Sequence, residues 1–152
     1  MYATKRVRWG VAASAVVTSL TLSGCGGEDG SGDPAEDPIV IGISLPLTGD
    51  FSEPGQGVQR GYEAWAAIVN DQGGLLGRQV ELTILDDQSN ADRVVSDYEQ
   101  LLGQDGVDLV FGPFSTRLVV PAGRVAEEYG MLFVEPAGAA PEVFEQGFQN
   151  LF

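Results

Sequence analysis

From residue 39 onward, short apolar runs alternate with segments in which apolar residues recur every three or four positions. The apolar runs are rich in β-branched residues, which is typical of strands covered on both faces. The spaced segments have the period of helices with one apolar face. The pattern predicts strands at residues 39–45, 80–85, 107–111 and 131–134, and the start of a fifth strand at 150–152.

Helices are predicted between these strands. The first follows a loop at residues 46–55 and ends at Gly73-Gly74, the second follows an Asn90 cap, the third runs from Ser115 or Thr116 to Gly130 and includes Pro121, and a short fourth covers residues 141–146. Four strand–helix units in succession imply an α/β fold with a doubly wound parallel sheet and helices on both faces. We expect the first strand to lie between two neighbours.

The first 24 residues have the plan of a signal peptide. Lys5, Arg6 and Arg8 precede an apolar run at residues 11–22, which is shorter than the roughly 20 residues of a bilayer span. The run ends in Leu-Ser-Gly-Cys25, which resembles the lipobox of bacterial lipoproteins. The resemblance implies that the Cys25 thiol carries a diacylglyceryl group and that the chain is cut before it. The alternative is a short buried helix with an unrelated cysteine.

After Cys25, the segment up to residue 38 is rich in acidic residues, glycine and proline. This composition cannot build a core and predicts a flexible tether. We therefore expect three parts: a signal peptide at 1–24, a lipidated cysteine and tether at 25–38, and a folded lobe at 39–152.

Charge and composition exclude several classes of function. The 152 residues include 22 Asp or Glu against 8 Lys or Arg, a net charge of −14, and three of the cations lie in the signal peptide. So acidic a surface repels nucleic acid. The sequence contains no histidine and a single cysteine, so it offers no internal disulfide, no histidine-based triad and none of the usual transition-metal ligand sets.

The loops after the parallel strands are the candidate ligand sites, because such sheets bind ligands beyond the carboxyl ends of their strands. They cover residues 46–55, 112–116 and 135–140. In the second loop, Ser115 and Thr116 would place hydroxyls beside the free amides of a helix start, an arrangement suited to a carboxylate. Helix capping alone would also explain these residues. The small residues of the third loop would expose backbone donors, or would simply form a tight turn.

Two further motifs in the sequence suggest binding sites. Asp86-Asp87 follows the second strand, where paired acids could hold Mg²⁺ as in receiver domains, but no lysine follows the signal peptide to hold a phosphoryl group. Capping of a turn is the favoured interpretation. Gly55-Gln56-Gly57 lies too far from the first strand for a dinucleotide fingerprint. We predict no catalytic residues, no metal and no cofactor.

Residues 38–152 resemble the branched-chain amino acid (leucine/isoleucine/valine type) substrate-binding proteins of ABC transporters. The motifs that carry the resemblance are PLTG, NxxGG…G, DD, GP-S and PxGAxPEVF. The resemblance implies a type 1 periplasmic binding protein, in which two α/β lobes close on a ligand. These residues match the first lobe, and the second lobe is absent from this chain. The chain is then either a fragment of a longer product or a truncated product that binds nothing tightly.

The resemblance also implies site residues. A ligand carboxylate would be held by the second and third loops, namely by Ser115, Thr116, Ala137, Gly138 and Ala139. Phe51 and Pro54 match a loop that carries an aromatic wall in relatives, with Pro54 at the position of the ring. Ala139 stands where several relatives carry a hydroxyl. Both departures argue against a plain leucine-type ligand.

The expected function is that of a solute-binding lipoprotein on the extracytoplasmic side of the cell membrane. It would deliver an amino acid or a similar small carboxylate to the permease of an ABC importer. The alternatives are the sensing domain of a receptor or regulator with the same fold, a non-functional fragment, and an enzyme. The enzyme alternative is disfavoured because only carboxylate chemistry remains available and no two acids are compellingly placed.

Overall fold

The computed structural model describes residues 37–138 and 140–152. The predicted signal peptide, Cys25, nearly all of the tether and Ala139 lie outside these residues. The elements are β1 (Ile39–Leu45), α1 (Ser52–Asp71), β2 (Val80–Asp86), α2 (Ala91–Gln100) with a π-helical turn (Leu101–Asp105), β3 (Leu109–Phe111), α3 (Thr116–Glu128), β4 (Phe133–Val134) and α4 (Pro141–Phe144).

The four strands form one parallel sheet in the order β2-β1-β3-β4. The prediction that the first strand lies between two neighbours is confirmed. Ile41 pairs with Leu82 on one side and with Leu109 on the other. Beyond β4, a parallel bridge joins Phe133 to Leu151, as predicted for the start of a fifth strand.

The core lies on both faces of this sheet, as a doubly wound fold requires. On one face, alternate residues of β1 pack under α1. On the other face, α2 and α3 cover the sheet, and Tyr98, Leu118 and Phe133 are fully or almost fully buried there. Gly42 of β1 faces this second cluster and lies close to Val107 and Leu101. The helices therefore pack against both faces of the sheet and fix the position of the carboxyl ends of its strands.

Several predicted boundaries are wrong. Helix α1 begins at Ser52, so the predicted loop ends before residue 55 and Pro54 lies in the first helical turn. Proline is tolerated there because the first helical N–H groups have no intrahelical acceptor. Strand β4 begins two residues late because the N–H of Met131 donates to the carbonyl of Ala126 (2.8 Å). Strand β3 begins at Leu109, two residues after its predicted start.

Within residues 37–138 and 140–152, no helix has the length and apolar character needed to cross a membrane.

Candidate functional site

The end of β3 is fixed by two buried phenols. The Tyr62 hydroxyl on α1 donates to the carbonyl of Gly112 at 3.0 Å, and the Tyr98 hydroxyl on α2 donates to the carbonyl of Phe111. The Gly112 N–H in turn donates to the carbonyl of Val134 at 2.7 Å. Both faces of the sheet therefore hold the chain in place where it leaves β3 towards the predicted ligand edge.

Ser115 and Thr116 lie at the start of α3, as predicted. Ser115 is the N-cap residue, in an extended conformation, and its hydroxyl makes no capping hydrogen bond. Its carbonyl accepts from the N–H groups of Leu118 and Val119. Helix capping by its hydroxyl therefore does not explain why a serine stands at this position. The hydroxyl remains available beside the first-turn amides of α3, which have no acceptor within the helix.

Glu135 directly follows β4 and folds back on its own loop. Its Oε1 accepts hydrogen bonds from the backbone N–H groups of Ala137 and Gly138. Its Oε2 is buried and has no hydrogen-bond partner among the described residues. Burial raises the pKa of Glu135 from 4.5 to about 7, against the opposing effect of the two backbone hydrogen bonds. The backbone donors predicted to hold a ligand are therefore occupied by this side chain.

Glycines at the two loops make room for this carboxylate. A Cβ on Gly112 would lie 1.9 Å from Oε2 of Glu135, and a Cβ on Gly138 would lie 3.1 Å from Oε1. A Cβ on Gly138 would also lie 2.9 Å from a methyl of Val119, one turn into α3. The structure thus brings the second and third predicted loops against each other.

The first loop contributes Phe51 but not Pro54. The Phe51 ring contacts the Phe114 ring edge to face, with centroids 6.1 Å apart, so it lies next to the residue that precedes Ser115. Its N–H donates to the hydroxyl of Ser89 at 3.0 Å. Pro54 is exposed in the first turn of α1, and no contact in the structure brings it to the other predicted residues.

Asp86 holds the first loop against the end of β2. Its Oδ1 accepts from the N–H groups of Leu47, Thr48 and Gln88, at 2.9–3.1 Å, and its Oδ2 accepts from the Thr48 hydroxyl at 2.8 Å. Burial opposes ionisation, but these hydrogen bonds outweigh it and lower the pKa of Asp86. This is the turn-capping role that the sequence favours for the acidic pair.

Two other acids beneath this edge are buried. Asp87 is fully buried, accepts from the N–H of Ser89 at 2.7 Å, and has a pKa raised to about 7, mainly by burial. Asp97 accepts from the Ser44 hydroxyl at 2.9 Å and pairs with Arg93 at 2.9 Å. The part of the chain that the structure describes holds no group of three or more acidic or cysteine side chains able to bind a metal ion.

Comparison with known proteins decides the family. Residues 38–152 match the family model described as periplasmic binding protein. The chain belongs to the periplasmic binding protein family. It is 36% identical over 114 residues to the Leu/Ile/Val-binding protein homolog 1 of Brucella abortus (strain 2308), and 34% identical over 113 residues to the Leu/Ile/Val-binding protein BraC3 of Rhizobium johnstonii. These matches cover 75% and 74% of this chain.

Solved structures of periplasmic binding proteins match the fold. The branched-chain amino acid transporter substrate-binding protein LivJ of Streptococcus pneumoniae, in complex with isoleucine, superposes with a TM-score of 0.72 at 25% identity, over 76% of this chain and 33% of that chain. The leucine-binding protein LivK of Thermotoga maritima gives 0.66 at 26% identity, over 74% and 31%. The expected fold is confirmed: a parallel α/β sheet that forms part of a type 1 periplasmic binding protein. The chain spans about 30% of the length of the curated relatives it matches.

Reasoning from the sequence missed three residues that shape the carboxyl edge of the sheet in this periplasmic binding protein: Glu135, Tyr62 and Tyr98. An acid at the end of an apolar strand, directly before Pro136 and a run of small residues, was a signal that could have indicated Glu135. The two tyrosines were recognised only as apolar positions on helices. Their hydroxyl groups bond to β3, and nothing in the local sequence indicates which carbonyl a buried phenol reaches.

Proposed function

We propose that this chain is the first lobe of an extracytoplasmic solute-binding protein that delivers an amino acid or a similar small carboxylate to an ABC importer. The observation that carries the proposal is the convergence of two loops at the carboxyl edge of the sheet. One loop leads into α3 at Ser115, whose hydroxyl makes no capping hydrogen bond. The other loop contains the backbone N–H groups of Ala137 and Gly138, which already donate to a carboxylate oxygen. Two relatives support this ligand class by their names: one is called a Leu/Ile/Val-binding protein homolog, and the other is a branched-chain amino acid transporter substrate-binding protein in complex with isoleucine.

In this proposal the ligand carboxylate lies at the start of α3. Ser115 and Thr116 donate from their hydroxyl groups, and the first-turn amides of α3 add donors that carry a partial positive charge. The N–H groups of Ala137 and Gly138 supply donors from the neighbouring loop, together with Ala139. Phe51, which packs against Phe114, lines the apolar side of the same edge. Among the proposed ligand-binding residues, Pro54 has the least structural support, since it is exposed.

The attachment to the cell membrane rests on Cys25. The Leu-Ser-Gly-Cys motif between an apolar run and an acidic segment supports a lipid anchor, and two acyl chains give stable attachment where one does not. Cys25→Ser should release the protein from the membrane fraction or leave it with its signal peptide. Mass spectrometry of the native protein should find diacylglyceryl on Cys25 as the first residue. A free thiol with cleavage elsewhere would contradict the anchor.

Binding is tested by calorimetry on the protein at its native length. The ligands are L-leucine, L-phenylalanine and L-glutamate, with L-leucinamide and L-phenylalaninamide as controls that lack the carboxylate. Thr116→Val keeps the side-chain shape and deletes the hydroxyl. A hydrogen bond to a charged group contributes about 1.5–3 kcal/mol, so affinity should fall roughly tenfold to a hundredfold.

Thr83→Val, the same substitution on β2 away from this edge, is the matched control and should leave affinity unchanged. If an amino acid and its amide bind equally well, or if Thr116→Val binds like the control, the carboxylate site at the start of α3 is wrong. If no member of the panel binds to the wild type or to any folded variant, the proposed ligand class is wrong.

A further inference from the structure

Glu135 places a carboxylate of the protein itself at the ligand edge. Oε1 takes both backbone donors of the third loop, from Ala137 and Gly138. A buried carboxylate loses its hydration, and these two hydrogen bonds offset part of that cost. The backbone N–H groups of this loop therefore donate to a carboxylate oxygen, here one of the protein itself.

The space around this carboxylate is shaped to its size. Gly112 faces Oε2 and Gly138 faces Oε1, and an alanine at Gly112 would collide with the carboxylate. Glu135 itself is 9% exposed. The result is a closed slot between the exits of β3 and β4, filled by one carboxylate.

In this slot, only one of the two carboxylate oxygens of Glu135 accepts hydrogen bonds. Oε2 is buried without a partner among the described residues, which is costly for a group that ionises. The described residues place no cation beside it, and its raised pKa follows from burial alone. Burial is the main cause that raises the pKa values of Tyr62 on α1 and Tyr98 on α2, and the charge of Glu135 raises both further, so both phenols stay neutral. The carboxylate is thus held through one oxygen only.

We propose that Glu135 is an internal occupant of the ligand's carboxylate slot, and that a ligand must displace it to bind. This inference rests on the proposed function and concerns regulation of the same site. A ligand carboxylate can satisfy both of its oxygens, because one can take the backbone donors of Ala137 and Gly138 while the other reaches the hydroxyl groups at the start of α3. Glu135 therefore lowers the affinity for every carboxylate and excludes those that cannot engage both loops.

The occupant also makes binding depend on pH. When Glu135 is ionised, it is a strong acceptor for the two N–H groups and it repels an incoming anion. When it is protonated, its hold on the donors weakens and the repulsion disappears. Since the ligand carboxylate stays ionised throughout, binding should strengthen as the pH falls from 8 to 6.

The experiment is calorimetry on the protein at its native length, with L-leucine, L-phenylalanine and L-glutamate as probes. Glu135→Ala empties the slot, and affinity for the amino acids should rise at least about tenfold, the ratio expected if only one of the two hydrogen bonds to Glu135 no longer has to be broken. Glu135→Gln keeps a neutral, weaker occupant and should fall between the wild type and the alanine variant. Glu142→Ala removes an exposed acid of α4 and is the matched control.

Far-ultraviolet circular dichroism first establishes that each variant folds, and Glu135→Gln carries the test if the alanine variant does not. Tighter binding by the Glu135 variants, with loss of the pH dependence between 6 and 8, supports the inference even if the wild type binds too weakly to measure. Unchanged or weaker binding by a folded Glu135 variant overturns it and leaves the proposed function intact. An absence of binding by the wild type and by every variant contradicts the proposed function as well.

Discussion

Glu135→Gln should change how the stability of the fold depends on pH. In the folded chain the pKa of Glu135 is about 7, against 4.5 for an exposed glutamate, and the main cause is burial. An acid whose pKa is raised by folding binds more protons in the folded state between these two values. The free energy of unfolding therefore falls as the pH rises through this window. Glutamine stays neutral at every pH and removes this contribution.

The size of the effect follows from the shift. One pKa unit corresponds to about 1.4 kcal/mol, so the rise from 4.5 to about 7 gives an upper limit of about 3 kcal/mol at pH 8, and almost nothing at pH 4. The buried Asp87, with a pKa of about 7, adds a similar slope to both proteins and cancels in their difference. Any constant cost of the buried glutamine amide also cancels when the difference is compared across pH.

The assay is urea unfolding at half-unit steps between pH 4 and 8, followed by circular dichroism and by the fluorescence of Trp65, which packs against Phe111. The difference in unfolding free energy between the Glu135→Gln and wild-type chains should increase with pH by an amount approaching 3 kcal/mol. Glu142→Gln, at an exposed site, should follow the wild type. Parallel pH curves for the wild type and Glu135→Gln would refute the buried, ionisable environment described for Glu135.

Two further predictions concern the contacts that fix the edge of the sheet. Tyr62→Phe leaves the carbonyl of Gly112 without its donor and should destabilise the fold by about 1–3 kcal/mol, measured by urea unfolding; an unchanged midpoint would contradict the hydrogen bond. Asp86→Asn weakens the acceptors that hold the first loop, so amide hydrogen exchange of Leu47 and Thr48 should accelerate at pH 7 while exchange in β1 stays slow. Equal protection in both chains would show that the carboxylate does not hold this loop.

Elements controlled by local sequence could be predicted. Strand β1 has the predicted bounds because a proline stands directly before its apolar run, at Pro38, and another directly after it, at Pro46. Asn90 caps α2 as expected, since its side chain accepts from the N–H groups of Asp92 and Arg93, two and three residues on. The position of β1 between two neighbours could be predicted from the doubly wound pattern, since right-handed crossovers on both sides of the first strand place helices on both faces of the sheet.

Features that depend on tertiary contacts could not be predicted. The start of α1 depends on the fit of Gly55 against the carbonyl of Pro46, which a Cβ would approach to 2.2 Å. The loop after β4 has the small residues that were expected, but Glu135 takes the donors that those residues expose. The room for its carboxylate is left by Gly112, which follows β3 and is distant from Glu135 in the sequence.

A crystal structure of the protein at its native length, with the tightest-binding amino acid of the panel, would show directly where the ligand carboxylate lies. We expect the ligand carboxylate within hydrogen-bonding distance of the Thr116 hydroxyl and of the N–H groups of Ala137 and Gly138, with Glu135 turned out of the slot. A ligand whose carboxylate lies away from the start of α3, with Glu135 still bonded to its own loop, would contradict this expectation.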